Sequence, residues 1–214
     1  MPRIAVTGAS GFLGAAAVRA LQERGHEVVG LTRVAGALPA SVTEVVGDLD
    51  DAQALARLVA GADAVVHAAG LVRSTDRLAL DRVNVQGTMA VVRAAAAVPR
   101  VVHVSTAGIH GRPGTTVDET SPPAPTNPYE RAKAAAEVAV RSARGDAVVL
   151  RPTNVVGVGH PEDPLVRFFA AVVAGRVVTI PQAQTSYVSV RDVASAVADA
   201  VEHPDPAPVR ILNE

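Results

Sequence analysis

The sequence predicts an α/β fold, a doubly wound parallel sheet followed by a small C-terminal lobe. Short runs of β-branched residues alternate with longer runs rich in alanine and leucine, which is the order of a βαβ chain. The β-branched runs are almost continuously apolar, as expected for parallel strands that helices cover on both faces. A glycine-rich turn, Gly8–Gly14, links the first strand to the first helix. These three observations together favour the doubly wound class.

The same alternation places each element along the chain. Strands are predicted at Arg3–Thr7, Glu27–Thr32, Thr43–Val46, Ala64–Ala68, Arg100–Ser105, Ala147–Arg151, Val177–Ile180, Ser186–Val190 and Val209–Leu212. Helices are predicted at Gly11–Arg24, Asp51–Val59, Asp76–Val98, Pro128–Arg144, Pro164–Ala174 and Arg191–Glu202. Residues 111–127 hold four prolines and show no periodicity, which predicts a surface loop.

The composition excludes several classes of protein. A net charge of −1 and only five aromatic residues predict no nucleic-acid partner and no anionic membrane partner. The chain has no cysteine, and its six histidines lack the spacing of metal ligands, so no metal site is expected. No apolar run reaches 18 residues and the N-terminus does not resemble a signal peptide. We therefore expect a cytoplasmic protein.

The glycine-rich turn has the spacing of a phosphate-binding loop. Gly8 permits the tight turn, Gly11 allows the backbone to approach a pyrophosphate, and Gly14 allows close packing of helix on strand. The helix N-terminus supplies N–H groups and partial positive charge for the phosphates. The residues between these glycines that we expect to contact the dinucleotide are Ser10, Phe12 and Leu13. The alternative is a tight βα turn that binds no ligand.

The spacing T-G-x-x-G-x-x-G of Thr7–Gly14 resembles that of the extended short-chain dehydrogenase/reductase superfamily, the NAD(P)-dependent epimerases, dehydratases and ketoreductases. The resemblance covers nearly the whole chain and implies a Rossmann fold. It implies that Asp48, with Leu49 beside it, binds the adenine amino group, although Asp48 also suits the N-cap region of a helix. The resemblance further implies that the small residues Ala68 and Ala69 let the chain pass close to the cofactor.

The end of the second predicted strand bears on the choice of cofactor. An acidic residue there would bind the ribose hydroxyls of NAD, but the strand ends in Thr32 and Arg33. An arginine accommodates the 2′-phosphate of NADP, and the threonine adds a hydroxyl donor. NADP is therefore the predicted cofactor, with NAD as the alternative and a plain surface arginine as the other interpretation of Arg33.

Tyr129 and Lys133 are the strongest candidates for catalysis. They stand four residues apart in a predicted helix and so share one face. Of the 20 basic residues, Lys133 is the only lysine, which suggests that arginine cannot replace it there. Free tyrosine has a pKa near 10, and a neighbouring ammonium is expected to lower it. The alternative is an ordinary pair on a helix surface.

The resemblance supplies further candidates. It implies that Thr106 is the catalytic hydroxyl, with the adjacent Ser105 as the alternative, and that Asn84 supports the catalytic geometry. His110 stands where the family usually has tyrosine and is expected in the substrate pocket. Pro152 and Asn154 lie in a segment similar to the family's L-R-P-x-N-V turn, which implies contacts to the nicotinamide end and to substrate.

The resemblance divides the chain into a dinucleotide-binding domain that carries the catalytic residues, 1–151, and a small substrate lobe with closing elements, 152–214. The family arginine that clamps a nucleotide diphosphate falls at Thr185, which argues against a nucleotide-sugar substrate.

We therefore predict an NAD(P)-dependent oxidoreductase, foremost a ketoreductase acting on a small carbonyl or alcohol. The alternatives are an NAD-dependent nucleotide-sugar epimerase or dehydratase, and a non-catalytic dinucleotide sensor. The chain stops where relatives continue, which suggests that a second copy, in a homodimer, completes the lobe.

Overall fold

The computed structural model describes residues 1–111, 116–159, 164–176, 185–203 and 209–212 of the chain. The strands are β1 (Arg3–Thr7), β2 (Glu27–Thr32), β3 (Thr43–Val46), β4 (Ala64–His67), β5 (Arg100–Val104), β6 (Val148–Pro152), β7 (Asn154–Val156), β8 (Tyr187–Ser189) and β9 (Val209–Leu212). The helices are α1 (Phe12–Glu23), α2 (Ala52–Val59), α3 (Arg77–Asp81), α4 (Gly87–Ala94), α5 (Pro128–Ala143), α6 (Pro164–Val173) and α7 (Val190–Glu202). The strand predicted at 177–180 lies outside the described residues.

Seven of the strands form one sheet in the order β3-β2-β1-β4-β5-β6-β9, and all of their pairings are parallel. The strand order reverses between β1 and β4, so their C-terminal ends open a crevice at the switch point. Strands β7 and β8 form a separate parallel pair beyond the end of β6. The predicted doubly wound Rossmann fold is therefore confirmed.

The sheet is buried on both faces, which is why its strands read as continuous apolar runs. On one face α1 and α7 cover a cluster that includes Ile4, Leu21 and Val197. On the other face the helices between β3 and β6 cover a second cluster, to which Leu58 and Val140 belong. Helix α7 packs along α1, so residues near the C-terminus complete the layer that begins at residue 12.

The long helix predicted over 76–98 is interrupted. After α3 the backbone makes a π-helical turn at Arg82–Gln86 before α4 begins at Gly87. Glycine at the start of α4 permits close packing, because a Cβ at Gly87 would collide with the buried Leu49. Strand β7 and a 3₁₀ turn at Ala107–His110 were not predicted. Among the described residues, no helix is long and apolar enough to span a bilayer.

Candidate active site

The glycine-rich loop lies at the end of β1, on the crevice. Gly8 has a φ of +70°, and a Cβ there would lie 2.7 Å from the backbone nitrogen of Ala69. A Cβ on Gly14 would collide with the carbonyl of Gly8, and one on Gly11 would lie 3.2 Å from that carbonyl. The backbone therefore requires glycine at Gly8 and Gly14 and leaves little room for a side chain at Gly11.

The N-terminus of α1 lies within this loop. Gly11 is the N-cap residue in extended conformation, no side chain caps the helix, and the first turn of Phe12, Leu13 and Gly14 carries no acid. Ser10 is exposed beside it. A cradle that a Cβ would fill, followed by an uncapped helix start, fits a dinucleotide pyrophosphate.

The adenosine side of the crevice is built by the ends of β2 and β3. Arg33 is exposed directly after β2, in the place expected for a 2′-phosphate ligand. Thr32 is not available as a second donor, since its buried hydroxyl donates to the carbonyl of Val34 at 3.1 Å. The sequence prediction for Thr32 was therefore wrong, because the threonine closes its own turn.

A carboxylate that the sequence analysis missed holds the loop after Arg33. Glu44 accepts hydrogen bonds from the backbone N–H groups of Gly36, Ala37 and Leu38 at 2.8, 3.1 and 3.2 Å. It reaches them from β3, next to β2 in the sheet. The loop conformation next to Arg33 is thus fixed by a residue eleven positions later in the chain.

Asp48 and Leu49 follow β3. Asp48 is half-buried and its Oδ1 accepts from the backbone N–H of Leu49 at 2.7 Å. The Leu49 side chain is buried against Gly87. Only Asp48 therefore offers a side-chain acceptor toward an adenine.

A directed series of hydrogen bonds connects the turn after β4 with the π-helical turn. Ala69 N donates to Thr7 Oγ1 at 3.3 Å, and Thr88 Oγ1 donates to the carbonyl of Asn84 at 2.6 Å. The His67 ring lies between the two threonines, at 2.7 Å and 2.9 Å. Because Thr88 has given its proton to Asn84, it accepts from His67 Nε2, and Thr7 donates to Nδ1. His67 is therefore neutral, and burial lowers its pKa to about 3.

This series holds the cofactor turn predicted at Ala68 and Ala69. Asn84 completes it, since its side chain exchanges hydrogen bonds with both the N–H and the carbonyl of Leu71, at 2.9 and 2.8 Å. The buried Asn84 is thus occupied in fixing the backbone after β4. Its nearest partners are backbone groups of that turn.

Helix α5 positions Tyr129 and Lys133. It starts at Pro128 behind a capping box, in which Asn127 Oδ1 accepts from Glu130 N at 2.9 Å and Glu130 Oε2 accepts from Asn127 N at 3.3 Å. Tyr129 therefore stands in the first turn and Lys133 one turn later on the same face.

Lys133 is buried with only neutral acceptors in contact. Its Nζ donates to the carbonyl of Val104 at 2.7 Å and lies 3.4 Å from Nε2 of His103. The residue is 4% exposed. Burial lowers the pKa of Lys133 to about 8, while the charge of Glu137 acts in the opposite direction.

Tyr129 departs from the sequence expectation. Burial and, secondarily, the charge of Glu130 raise the pKa of its phenol to about 12, where a lowered pKa was predicted. The lysine ammonium points to the end of β5 and does not offset the loss of solvent around the phenol. The phenol is therefore fully protonated at neutral pH, as a proton donor must be.

Ser105 and Thr106 follow the end of β5, one and two residues beyond Val104, whose carbonyl Lys133 contacts. Thr106 Oγ1 accepts from Gly108 N at 3.1 Å and starts the 3₁₀ turn. Ser105 is buried, and its hydroxyl has no hydrogen-bond partner in the described part of the chain. Both hydroxyls retain a proton to donate.

His110, which the sequence analysis expects in the substrate pocket, is buried. It is 3% exposed, with Nδ1 3.4 Å from the carbonyl of Pro122 and Nε2 3.4 Å from Arg151 Nη1. Arg151 in turn donates to Glu137 through Nη2 at 2.7 Å and through Nε at 3.1 and 3.2 Å. This buried ion pair, which the sequence analysis missed, joins β6 to α5.

The segment after β6 carries the last candidates. Pro152 is buried at the end of β6. Asn154 is exposed, and its Nδ2 donates to the carbonyl of Ser186 at 3.0 Å, which ties β7 to the start of β8. The structure thus places the glycine loop at the end of β1 and brings Lys133 to the end of β5, next to Ser105 and Thr106. Tyr129 lies one turn before Lys133 on α5, and His110 is buried against Arg151.

Comparison with known proteins agrees with this geometry. The model of the NAD dependent epimerase/dehydratase family matches residues 4–213. A 3-beta-hydroxysteroid dehydrogenase of Mycolicibacterium neoaurum is 35% identical over 195 residues, 82% of this chain and 53% of the relative. A ceramide reductase of Caulobacter vibrioides is 36% identical over 164 residues, 74% of this chain and 48% of the relative. The chain spans about half the length of these curated relatives.

Solved structures show the same fold. The crystal structure of the Bordetella bronchiseptica enzyme WbmG in complex with NAD and UDP superposes with a TM-score of 0.88 at 26% identity, over 100% of this chain and 72% of that one. The resemblance inferred from the motifs is confirmed. The relatives are named dehydrogenases, reductases and epimerases, which are enzymes.

Proposed function

Because the chain belongs to the NAD dependent epimerase/dehydratase family, we propose that it is an NADP-preferring oxidoreductase, foremost a ketoreductase. The observation that carries the proposal is the pairing on α5. A half-buried, protonated phenol, Tyr129, and a buried lysine, Lys133, share one helix face, and the lysine is bound to the strand end that leads to Thr106.

The residues present fit a nicotinamide dinucleotide. We propose that the loop of Gly8, Gly11 and Gly14 and the start of α1 hold its pyrophosphate, and that Asp48 and Arg33 meet its adenosine end. Pro152, at the end of β6, stands at the nicotinamide end. The cofactor, when bound, supplies or accepts the hydride.

The chain's own residues would move the proton. Tyr129, whose phenol stays protonated at neutral pH, donates to the carbonyl oxygen as hydride reaches the carbon, and accepts in the reverse direction. Thr106 donates a second hydrogen bond to that oxygen. Lys133 offers its remaining N–H to the ribose.

The substrate class rests on fewer contacts. Thr185 is exposed where a diphosphate-binding arginine would be needed, which favours a small carbonyl compound. The second candidate is a nucleotide-sugar epimerase or dehydratase, because the similar enzyme WbmG was crystallised with NAD and UDP. We keep the division into a dinucleotide domain, 1–151, and a substrate lobe, 152–214, and a homodimer that completes the lobe, as parts of this proposal.

The test of the proposed chemistry is Tyr129→Phe. The variant keeps the ring but removes the proton donor, so NADPH-dependent reduction of a carbonyl panel should fall about 10²–10⁴-fold. Tyr187→Phe, at the chain's other tyrosine, is the matched control and should retain the parent rate. Oxidation of the cofactor is followed at 340 nm.

The outcomes of this test separate the candidate functions. Parental turnover in Tyr129→Phe would contradict the mechanism. Dinucleotide binding without turnover of any carbonyl compound or nucleotide sugar by the parent would favour the non-catalytic sensor. Turnover of UDP-sugars alone would favour the epimerase.

Cofactor choice is tested at Arg33. Arg33→Ala should weaken NADP binding by roughly 10–150-fold and leave NAD binding nearly unchanged, since a charge-assisted contact contributes about 1.5–3 kcal/mol. Calorimetric titration of both dinucleotides measures this, with the exposed Arg57→Ala as the control. A parent that prefers NAD, or equal losses for both cofactors, would refute the NADP assignment and leave the Tyr129 chemistry intact.

A further inference from the structure

His103 is a buried histidine for which neither the motifs nor the proposed mechanism has a role. It lies on β5, is fully buried, and its ring packs on that of His67 with centroids 5.2 Å apart. Its Nε2 lies 3.4 Å from Lys133 Nζ, and its buried Nδ1 has no hydrogen-bond partner within the described ranges.

The number of N–H donors on the Lys133 ammonium determines the protonation state and tautomer of His103. An ammonium has three donors and no acceptor. The carbonyl of Val104 takes one N–H, so His103 Nε2, facing a second, must act as an acceptor. His103 is then neutral with its proton on Nδ1. Burial and the charge of Lys133 both lower its pKa and keep it neutral.

We propose that His103 is a positioning residue for Lys133. Its Nε2 and the carbonyl of Val104 fix two of the three ammonium hydrogens, so that the third is directed to the site above the strand ends. The role deepens the proposed function and rests on it for what Lys133 does. The titratable groups around the lysine are His67 on β4, His103 on β5, Tyr129 and Glu137 on α5, and Arg151 on β6, the last two paired with each other.

The chain allows a direct measurement, because Lys133 is its only lysine. With ¹³Cε-labelled lysine, one NMR resonance reports the pKa of Lys133 in the protein without cofactor. His103→Phe keeps a ring but removes the acceptor, so the pKa should fall from about 8 by roughly one further unit. His103→Gln, which restores an acceptor, should recover at least half of that shift.

The control variant is His26→Phe. His26 is 8% exposed, lies directly before the N-terminal end of β2, and pairs with Glu202 at 2.8 Å. It makes the same chemical change without touching Lys133, so the lysine pKa should stay at its parental value. An unchanged pKa in His103→Phe, or an equal shift in His26→Phe, would overturn the proposal.

A measurement on the unmodified protein covers the case in which His103→Phe does not fold. Long-range ¹H–¹⁵N correlation of labelled histidine distinguishes the tautomers. His103 should be neutral from pH 5 to pH 9 with its proton on Nδ1, and its Nε2 resonance should shift as Lys133 titrates. A proton on Nε2 at pH 7 would overturn the proposal.

Kinetics separate this role from the proposed reaction. In His103→Phe, kcat should fall while the KM for NADPH changes less than twofold, the alkaline limb of the pH profile should move down by about one unit, and His103→Gln should restore it. If the NMR shifts appear and no substrate is turned over, the positioning of Lys133 stands and the proposed function fails. A fall in kcat without any shift of the lysine pKa would overturn the positioning role of His103 and leave the proposed function intact.

Discussion

Lys133 on α5 and Arg151 on β6 are both buried cations, yet their partners differ. Arg151 faces a carboxylate, Glu137, and makes three hydrogen bonds to it in a region where both side chains are almost fully buried. Lys133, one turn earlier on the helix, contacts a carbonyl and a neutral imidazole. Arg151 therefore has a carboxylate counter-charge, whereas Lys133 has hydrogen bonds to neutral acceptors.

This difference in partners indicates that the Arg151 charge stabilises the fold, whereas the Lys133 charge remains available for chemistry. The Arg151 network also reaches the carbonyl of Glu119, while the Glu119 carboxylate accepts from Ile211 N, so it connects β6, α5, β9 and the proline-rich loop. The partners that hold the Lys133 ammonium carry no negative charge, and burial lowers its pKa to about 8. A buried cation without a carboxylate is costly, which is the signature of a functional site.

The largest expected effect on turnover comes from replacing Lys133. Lys133→Met removes the charge at similar length, and we expect turnover to fall about 10²–10⁴-fold. Folding depresses the lysine pKa from 10.5 to about 8, which penalises the ammonium by about 3 kcal/mol at neutral pH. After about 1–2 kcal/mol for the lost hydrogen bonds, the variant should be more stable than the parent by about 1–2 kcal/mol.

Steady-state rates and urea denaturation measure the two halves of this prediction. Lys133→Arg is the comparison variant, since it keeps the charge but brings a wider planar group into a closed space. Activity near the parental level in either variant would contradict the role given to the lysine. A large loss of stability in Lys133→Met would show that the lysine is structural.

The arginine region should respond in the opposite way. Glu137→Ala leaves Arg151 buried without a counter-charge, and the free energy of unfolding should fall by about 3–5 kcal/mol. Glu137→Gln retains one acceptor and should lose less. As a control, Asp199→Ala opens the exposed pair with Arg24 and should cost no more than about 1 kcal/mol. Equal losses at the two sites in denaturation curves would refute the contrast.

A smaller effect is expected from acid, which should lower the stability of the fold through the buried, neutral His67. The pKa of His67 is about 3 in the fold, below its ordinary 6.5, so the unfolded chain binds a proton that the folded chain does not. Stability is therefore lost as the pH falls below about 6.5, by about 2 kcal/mol from His67 between pH 7 and pH 5.

Urea denaturation at both pH values tests this effect. His67→Gln, which can still bond both threonines, should lower the difference between the two stabilities by about 2 kcal/mol. The exposed His203→Gln is the control and should leave the difference unchanged. An undiminished acid effect in His67→Gln would assign it to other groups.

The sequence predicted the sheet more closely than the site. β1, β2, β3 and β9 have the predicted ends, because each is a short run rich in β-branched residues that differs from the alanine-rich helical segments around it. The π-helical turn at Arg82–Gln86 was not predicted. Apolar periodicity indicates which face of a helix is buried, and it does not distinguish one π-helical turn from an α-helical one.

In the site, the glycine loop and the spacing of Tyr129 and Lys133 were visible because they are local patterns. The raised pKa of Tyr129 was missed, since burial depends on what packs over the helix and outweighed the effect expected of the lysine. His67, His103 and Glu44 were missed for the same reason. Each acts on a group that is distant in sequence, and a lone histidine inside an apolar strand is otherwise an ordinary core residue.

The packing of α7 on α1 has a consequence for the order in which the chain is made. Arg24, at the end of α1, meets Asp199 of α7 across 175 positions of sequence. At about 5–20 residues per second, a ribosome needs roughly 10–35 s to synthesise that interval. During that time the apolar face of α1, with Ala17 and Leu21, has no partner helix and is accessible to chaperones. The first layer of the protein can therefore close only after the seventh helix has emerged.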